Sequence, residues 1–99
     1  MNSSARALLG RLATKYVWWK TPDEALRQPD RVGAQVMNIG DYEDMLELVE
    51  QMGEDELRRV LTQAEIGQFN ERSWTYWHYR LGLARPDQIV PDPPKRRLG

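Results

Sequence analysis

Residues 41–67 read DYEDMLELVEQMGEDELRRVLTQAEIG, and the apolar side chains of this stretch recur at helical spacing. They are Tyr42, Met45, Leu46, Val49 and Met52 in the first half and Leu57, Val60, Leu61 and Ala64 in the second. Asp41 is a good N-cap for the first half, where Glu43 and Asp44 favour the positive first turn. Gly53, between the halves, is typical of a helix end. The stretch therefore predicts two amphipathic helices joined as a helical hairpin.

The helical period continues toward the N-terminus. An apolar stripe predicts a first amphipathic helix over residues 4–18. This stripe consists of Leu8, Leu9, Leu12 and Tyr16. The tetrapeptide Thr21-Pro22-Asp23-Glu24 is typical of a capping box with proline at the first helical position, so a short second helix is predicted to begin there.

Two more helices are predicted on either side of the hairpin. The third helix begins at Pro29, and Gly40 is predicted to end it in the left-handed conformation. Its buried face is predicted to be Val32, Val36 and Ile39. The last helix is capped by Asn70 and ends at Gly82. One side of it is predicted to carry Trp74, Trp77 and Leu81.

No stretch alternates between polar and apolar residues as a half-buried strand does. The predicted fold class is therefore all-α, a compact bundle of five to six short helices. Residues 1–84 are predicted to form this single helical domain. Residues 85–99 contain four prolines and the basic run Lys95-Arg96-Arg97, which predicts a flexible, disordered tail.

The residue types present offer little from which to build a catalytic or metal site. The chain has 99 residues with no cysteine and one histidine, so a zinc site made of His and Cys ligands is excluded. His78 lies between two aromatic residues and is predicted to pack or to cap. The glycines form no phosphate-binding pattern. We therefore expect no catalytic residue, no metal and no cofactor, and a protein that is not an enzyme.

The apolar runs are too short to cross a bilayer or to form a signal peptide. Together with the absence of cysteine, this predicts a cytoplasmic protein that does not bind membranes. The formal net charge of −1 hides a segregation of charge along the chain. Residues 1–20 carry no acid and residues 41–57 carry no base. Such asymmetry bears on partners more than on fold.

Four tryptophans, in two clusters, exceed what a small core needs, and they predict a recognition patch for a protein partner. Adjacent indoles on a helix point about 100° apart, so we expect one of Trp18 and Trp19 to lie at the rim or surface. Tyr76 and Tyr79 lie off the side shared by Trp74 and Trp77. The predicted contact residues are Trp18, Trp19, Lys20, Tyr76, Tyr79 and Arg80, with Glu43 and Glu47 as steering charges.

Two other functions stay open at this point. Basic residues near aromatics predict, as the alternative, a regulator that binds nucleic acid. The residues for this role are Arg6, Arg11, Lys15, Lys95, Arg96 and Arg97. The acidic stretch of residues 41–56 opposes that reading unless it faces away from the phosphates. The third hypothesis is a homodimer in which surplus aromatics meet across a two-fold axis.

The order of these features resembles a family of small bacterial helical domains of unassigned function. The resemblance covers residues 8–83. It is carried by Tyr16-Val17-Trp18-Trp19, the segment Gln35-Val36-Met37-Asn38-Ile39-Gly40-Asp41, Leu46 through Gly53 with Leu57, and the closing Leu81-Gly82-Leu83. Gln35 departs from the arginine usual in the family, and Met45 lies near a position often aromatic.

Members of that family are often encoded beside nucleotidyltransferase toxins of the AbiEii type, in apparent toxin–antitoxin pairs. The resemblance implies that this chain is the small antitoxin-like partner. It would neutralise a toxin encoded by the adjacent gene through stoichiometric association.

Overall fold

The computed structural model describes residues 3–94, and these form six α-helices without a β-strand. The helices are α1 (Ser3–Tyr16), α2 (Pro22–Leu26), α3 (Pro29–Ile39), α4 (Tyr42–Met52), α5 (Glu54–Thr62) and α6 (Glu71–Arg80). The Cα radius of gyration is 13.6 Å, close to the roughly 13 Å of a compact 100-residue chain. The predicted all-α, compact bundle is confirmed. Within residues 3–94, no helix has the length and apolar character needed to cross a membrane.

Side-chain caps begin three of the helices, as the sequence predicts. At α2, the Thr21 hydroxyl accepts from the Glu24 N–H while the Glu24 carboxylate accepts from the Thr21 N–H, a complete capping box. The Asp41 carboxylate accepts from the N–H of Asp44 at α4, and the Asn70 side chain plays the same part at α6. These bonds fix where each helix begins, because they satisfy backbone donors that have no partner within the helix.

Helix α3 lies at the centre of the bundle and contacts each of the other five helices. Two of its buried residues, Gly33 and Ala34, are small enough to let neighbouring helices approach closely. Its C-terminal turn also binds α6, because the Trp77 indole N–H donates to the Met37 carbonyl over 2.8 Å. α3 therefore holds the two predicted aromatic clusters in one fold.

The core contains most of the residues predicted to be buried, including the stripe of α1, the apolar residues of α5 and both tryptophans of α6. The prediction is wrong at three positions: Ile39, Tyr42 and Leu46 are exposed. The fully buried residues of α4 are Asp44 and Leu48, while Met45, Val49 and Met52 pack against the core partly buried. The Asp44 carboxylate bonds to side chains of α1, and this attachment turns α4 so that the Asp44–Leu48 line faces the core.

The burial of Ile39 and the conformation of Gly40 differ from prediction because polar contacts fix the backbone at the end of α3. Ser73 of α6 donates to the Asn38 carbonyl, which directs the neighbouring Ile39 outward. Gly40 is extended, with φ −64° and ψ 150°, and not left-handed as predicted. This conformation leads directly to Asp41, whose N–H donates to the Tyr16 hydroxyl. The same glycine thus joins α3 to α4 with no intervening loop.

Helix α1 is two residues shorter at its C-terminal end than the predicted span of residues 4–18. The prediction of a flexible tail beginning at residue 85 is not confirmed over residues 85–94. In this stretch Val90 packs against the core, and the carbonyls of Gln88 and Pro91 accept hydrogen bonds from α6. The basic run Lys95-Arg96-Arg97 lies outside the described residues.

Candidate protein-binding surface

Trp18 and Trp19 lie in a turn just beyond the end of α1. The turn is anchored by the buried Val17, whose carbonyl accepts from the Lys20 N–H over 3.1 Å. Both indoles are exposed, Trp18 by 74% and Trp19 by 56%. They contact each other edge to face, with ring centroids 5.8 Å apart. We expected one of the two indoles to be exposed. Both are exposed, because α1 ends before it reaches them.

Trp19 and Lys20 line a groove of about 280 Å³. Four buried apolar residues contribute to this groove, namely Val17, Ala25, Val32 and Ala34. Gln28, Gln35, Gln68 and the Arg31–Glu65 ion pair add polar groups. The groove therefore combines an apolar lining with convergent polar side chains, the usual composition of a recognition site.

Ile66 also lines this groove and is 58% exposed. It was missed by the sequence analysis, although one signal was present: it falls off the helical stripe that ends with Ala64. α5 in fact ends at Thr62, so Ile66 lies in the loop before α6. We call Trp18, Trp19, Lys20 and Ile66 the tryptophan surface.

The structure places the other predicted contact residues in different surroundings. Tyr76 lines a second groove, of about 490 Å³, together with exposed Tyr42 and Ile39. No described residue lines both this groove and the one beside Trp19. The Tyr79 hydroxyl donates to the Gln88 carbonyl, and Arg80 pairs with Glu54 at 3.0 Å. Tyr79 and Arg80 therefore contact neighbouring parts of this chain, and neither of them lines the groove beside Trp19.

The charges that are segregated in the sequence meet across the α1–α4 interface. Arg11 pairs with Glu47 at 2.6 Å, and Lys15 lies 2.8 Å from both Asp41 and Asp44. Glu47, a predicted steering charge, is therefore paired within the fold, whereas Glu43 is exposed. Two of the residues predicted to bind nucleic acid, Arg11 and Lys15, thus already form ion pairs with carboxylates of this chain.

Asp44 is the buried member of this network. The Lys15 ammonium first, and then the Tyr16 hydroxyl, hold the pKa of the Asp44 carboxyl below its usual range. Hydrogen bonds from Lys15 to Asp41 and Asp44 raise the pKa of the Lys15 ammonium. Burial, together with the adjacent Asp44, raises the pKa of the Tyr16 phenol. At neutral pH the ionised Asp44 carboxylate, the charged Lys15 ammonium and the neutral Tyr16 phenol therefore stabilise one another in these protonation states.

No protein-family model, curated protein or solved structure matches this chain. The family resemblance in the sequence stays a prediction that rests on the residues quoted for it.

The single histidine has structural partners. His78 is buried, and its Nδ1 lies 2.8 Å from the Trp74 carbonyl oxygen. Because a carbonyl oxygen only accepts, Nδ1 carries the proton in this contact. The imidazole also packs against the Trp74 ring at 4.4 Å, as the predicted packing role requires. Among residues 3–94, no three His, Asp or Glu side chains form a group able to hold a metal ion.

Arg59 forms a second ionic cluster, which the sequence analysis did not identify. Its guanidinium bonds both carboxylate oxygens of Asp30 and also reaches Glu56. These bonds lower the pKa of the Asp30 carboxyl. The cluster fastens α5 to the start of α3, and Arg58 adds a bond to the Leu81 carbonyl beyond α6. Its role is to join helices, so it is not a candidate binding site.

Proposed function

We propose that this chain is a non-catalytic protein-binding module that recognises its partner through the tryptophan surface. The observation that carries this proposal is the pair of exposed, mutually packed indoles of Trp18 and Trp19 beside the groove. Tryptophan is strongly enriched among the residues that dominate the affinity of protein interfaces. Covering the exposed parts of both rings removes about 300 Å² from water, a gross gain of about 7 kcal/mol before association costs.

The adjacent Lys20 and the Arg31–Glu65 pair supply a polar rim for such an interface. Interfaces of this composition combine an apolar centre with polar contacts that exclude water around it. The turn that carries the indoles is fixed by Val17, which is buried in the core. Little ordering of the backbone is then required on binding, and this limits the entropic cost.

The finer proposal is that the chain acts as an antitoxin in the bacterial cytoplasm. It would neutralise a nucleotidyltransferase-type toxin by stoichiometric association, either covering the active cleft or holding the toxin inactive. The support for this is the resemblance across residues 8–83. A toxin that binds nucleotides or RNA offers basic surface, for which the exposed Glu43 is a suitable steering charge.

Co-expression with the product of the adjacent gene tests the proposal. The wild-type chain is expected to restore growth and to copurify with the toxin. The double variant Trp18→Ala/Trp19→Ala is expected to lose at least 30-fold in affinity and to fail in rescue. Because neither indole lies in the core, its thermal midpoint should match the wild type.

Tyr42→Ala is the matched control, since it removes an equally exposed aromatic side chain from the other groove. It should bind and rescue as the wild type does. Growth inhibition that the wild-type chain does not relieve would remove the antitoxin function. Rescue by the double tryptophan variant would instead refute the assignment of the binding surface.

The nucleic-acid alternative has less support from the contacts. Arg11 and Lys15 already pair with carboxylates, so each would have to exchange a bound anion for a phosphate. The lost attraction to that carboxylate offsets part of the gain from counterion release that drives phosphate binding. A gel-shift salt series separates the two functions: affinity that falls by several decades between low and physiological salt would favour nucleic acid.

A further inference from the structure

The chain reverses direction after α6 and returns along that helix. The Leu83 and Ala84 N–H groups both donate to the His78 carbonyl, which ends the helix. A turn then closes between Arg85 and Gln88: the Gln88 N–H donates to the Arg85 carbonyl over 2.9 Å, and the Arg85 N–H donates to the Gln88 side chain. Residues 88–94, called the return segment below, therefore run antiparallel to α6.

Two aromatic side chains of α6 bind main-chain carbonyls of the return segment. The Tyr79 hydroxyl donates to the Gln88 carbonyl over 2.9 Å, and the Trp74 indole N–H donates to the Pro91 carbonyl over 2.6 Å. Five helical residues separate the two donors, a rise of about 7.5 Å. Three extended residues separate the two acceptors, a span of about 9.3 Å. Trp74 and Tyr79 also lie about 140° apart around the helix axis, so their two bonds hold the extended segment from different sides of α6.

The side chain of Val90 adds an apolar anchor to the return segment. Val90 packs against the core, whereas its neighbour Ile89 points away and is 96% exposed. Pro91 follows the anchor and favours the extended conformation in which the carbonyls meet their donors. What α6 recognises here is an apolar residue followed by proline, with carbonyls on either side of the anchor. This is the chemistry by which aromatic-lined grooves take proline-containing peptides.

We propose that the Trp74 and Tyr79 side chains of α6 form a binding site for an extended peptide with an apolar–proline step, occupied in the free protein by the return segment. A partner segment of that chemistry displaces residues 88–94 and takes over both carbonyl bonds. The return segment follows the last helix, so its release breaks no helix. Val90, Pro93 and Pro94 of the return segment are only partly buried, so a competing peptide can replace the segment without opening the core. This site is distinct from the tryptophan surface and does not depend on it.

Nuclear magnetic resonance of the tryptophan indole groups in the full chain tests the proposal directly. Val90→Asp removes the apolar anchor of the return segment without touching a helix. We expect the Trp74 indole resonance of this variant to move from its wild-type position, because its bond to Pro91 is lost. The synthetic peptide PDQIVPDPP, which copies residues 86–94, should restore that position saturably. A peptide with the Val90→Asp change should not.

The wild-type chain should bind the same peptide at least tenfold more weakly than V90D does, since its own segment competes for the site. Tyr79→Phe, in the V90D background, removes one carbonyl donor and should weaken peptide binding several-fold. Tyr76→Phe is its matched control, because the Tyr76 hydroxyl makes no hydrogen bond within residues 3–94 and its loss should change nothing.

Three outcomes would overturn the proposal. The first is a Trp74 resonance that V90D leaves in place. The second is a V90D resonance that millimolar peptide does not move. The third is a dimer of V90D whose Trp74 resonance is already at its wild-type position, which would assign the site to a second copy of this chain.

Discussion

Replacing Tyr16 with phenylalanine removes a single hydroxyl group from the α1–α4 interface. That hydroxyl donates to the buried Asp44 carboxylate over 2.6 Å and accepts from the Asp41 N–H over 3.0 Å. The ring of Tyr16 is buried in the core, and phenylalanine keeps that packing. The substitution therefore isolates the two hydrogen bonds from the burial of the aromatic ring.

The loss is worked out from these two bonds. A hydrogen bond to a charged acceptor contributes about 1.5–3 kcal/mol. The Asp41 N–H loses its acceptor as well, but Asp41 is exposed, so water replaces part of that bond. We expect Tyr16→Phe to lower the free energy of unfolding by about 3 kcal/mol. For a chain of this size, that corresponds to a fall in the thermal midpoint of about 12–24 °C.

The assay is urea unfolding followed by circular dichroism at several pH values. Because the pKa of Asp44 is depressed in the folded state, its contribution is present above the unfolded pKa of about 4 and is lost as pH falls through the folded value. The variant loses part of that depression, so the gap between the two proteins should narrow below pH of about 4.

Tyr42→Phe is the control, since that hydroxyl is exposed and makes no hydrogen bond to residues 3–94. Its stability should equal that of the wild type. A Tyr16→Phe variant within about 0.5 kcal/mol of the wild type at pH 7 would refute the reasoning, because that is the scatter of a surface change. If the difference in unfolding free energy between Tyr16→Phe and the wild type does not narrow in acid, Asp44 is not the carboxylate that the Tyr16 hydroxyl stabilises.

Other substitutions test the backbone and the surface. Gly10→Ala should stabilise the chain by about 0.5–1 kcal/mol in thermal unfolding, because Gly10 lies inside α1 and the added Cβ meets only Leu26, at 3.5 Å. Gly53→Ala should cost about 1–3 kcal/mol in the same measurement, since φ there is +82° although the space around it is open; an unchanged midpoint would contradict this. Arg11→Gln should change urea stability by under about 0.5 kcal/mol, because its pair with Glu47 is exposed, and a larger loss would mean that exposed pairs hold α1 to α4.

The helices were predictable because their determinants are local. Thr21 with Glu24, Asp41 and Asn70 each sit beside the backbone donors that they cap, so a sequence of a few residues carries the information. The rotation of α4 was not predictable in this way. It is set by hydrogen bonds that Lys15 and Tyr16 of α1 donate to Asp44, about thirty positions later in the chain. Apolar spacing correctly placed Met45, Val49 and Met52 against the core but also included the exposed Tyr42 and Leu46.

The candidate site likewise has some residues that the sequence predicts and others that only the fold brings together. Trp18 and Trp19 were found because two adjacent indoles on a helix cannot both face one core, although in the structure they lie in a turn beyond α1. Ile66 was missed because only the fold brings the loop before α6 into the groove of Trp19. Tyr79 was predicted as a contact for a partner, but its hydroxyl bonds Gln88 of the same chain. The prolines after residue 85 favour an extended conformation, but they do not indicate that α6 binds this segment through Tyr79.

Gly53 ends α4 and begins α5, so the two helices meet with one residue between them. An inserted residue at this junction would have no loop to absorb it. It would shift α5 relative to α4 and displace Leu57 and Leu61 from their places in the core. The eight residues between α5 and α6 have no such constraint on their number. The number of residues is thus constrained at the hairpin and adjustable in the loop beside the tryptophan surface.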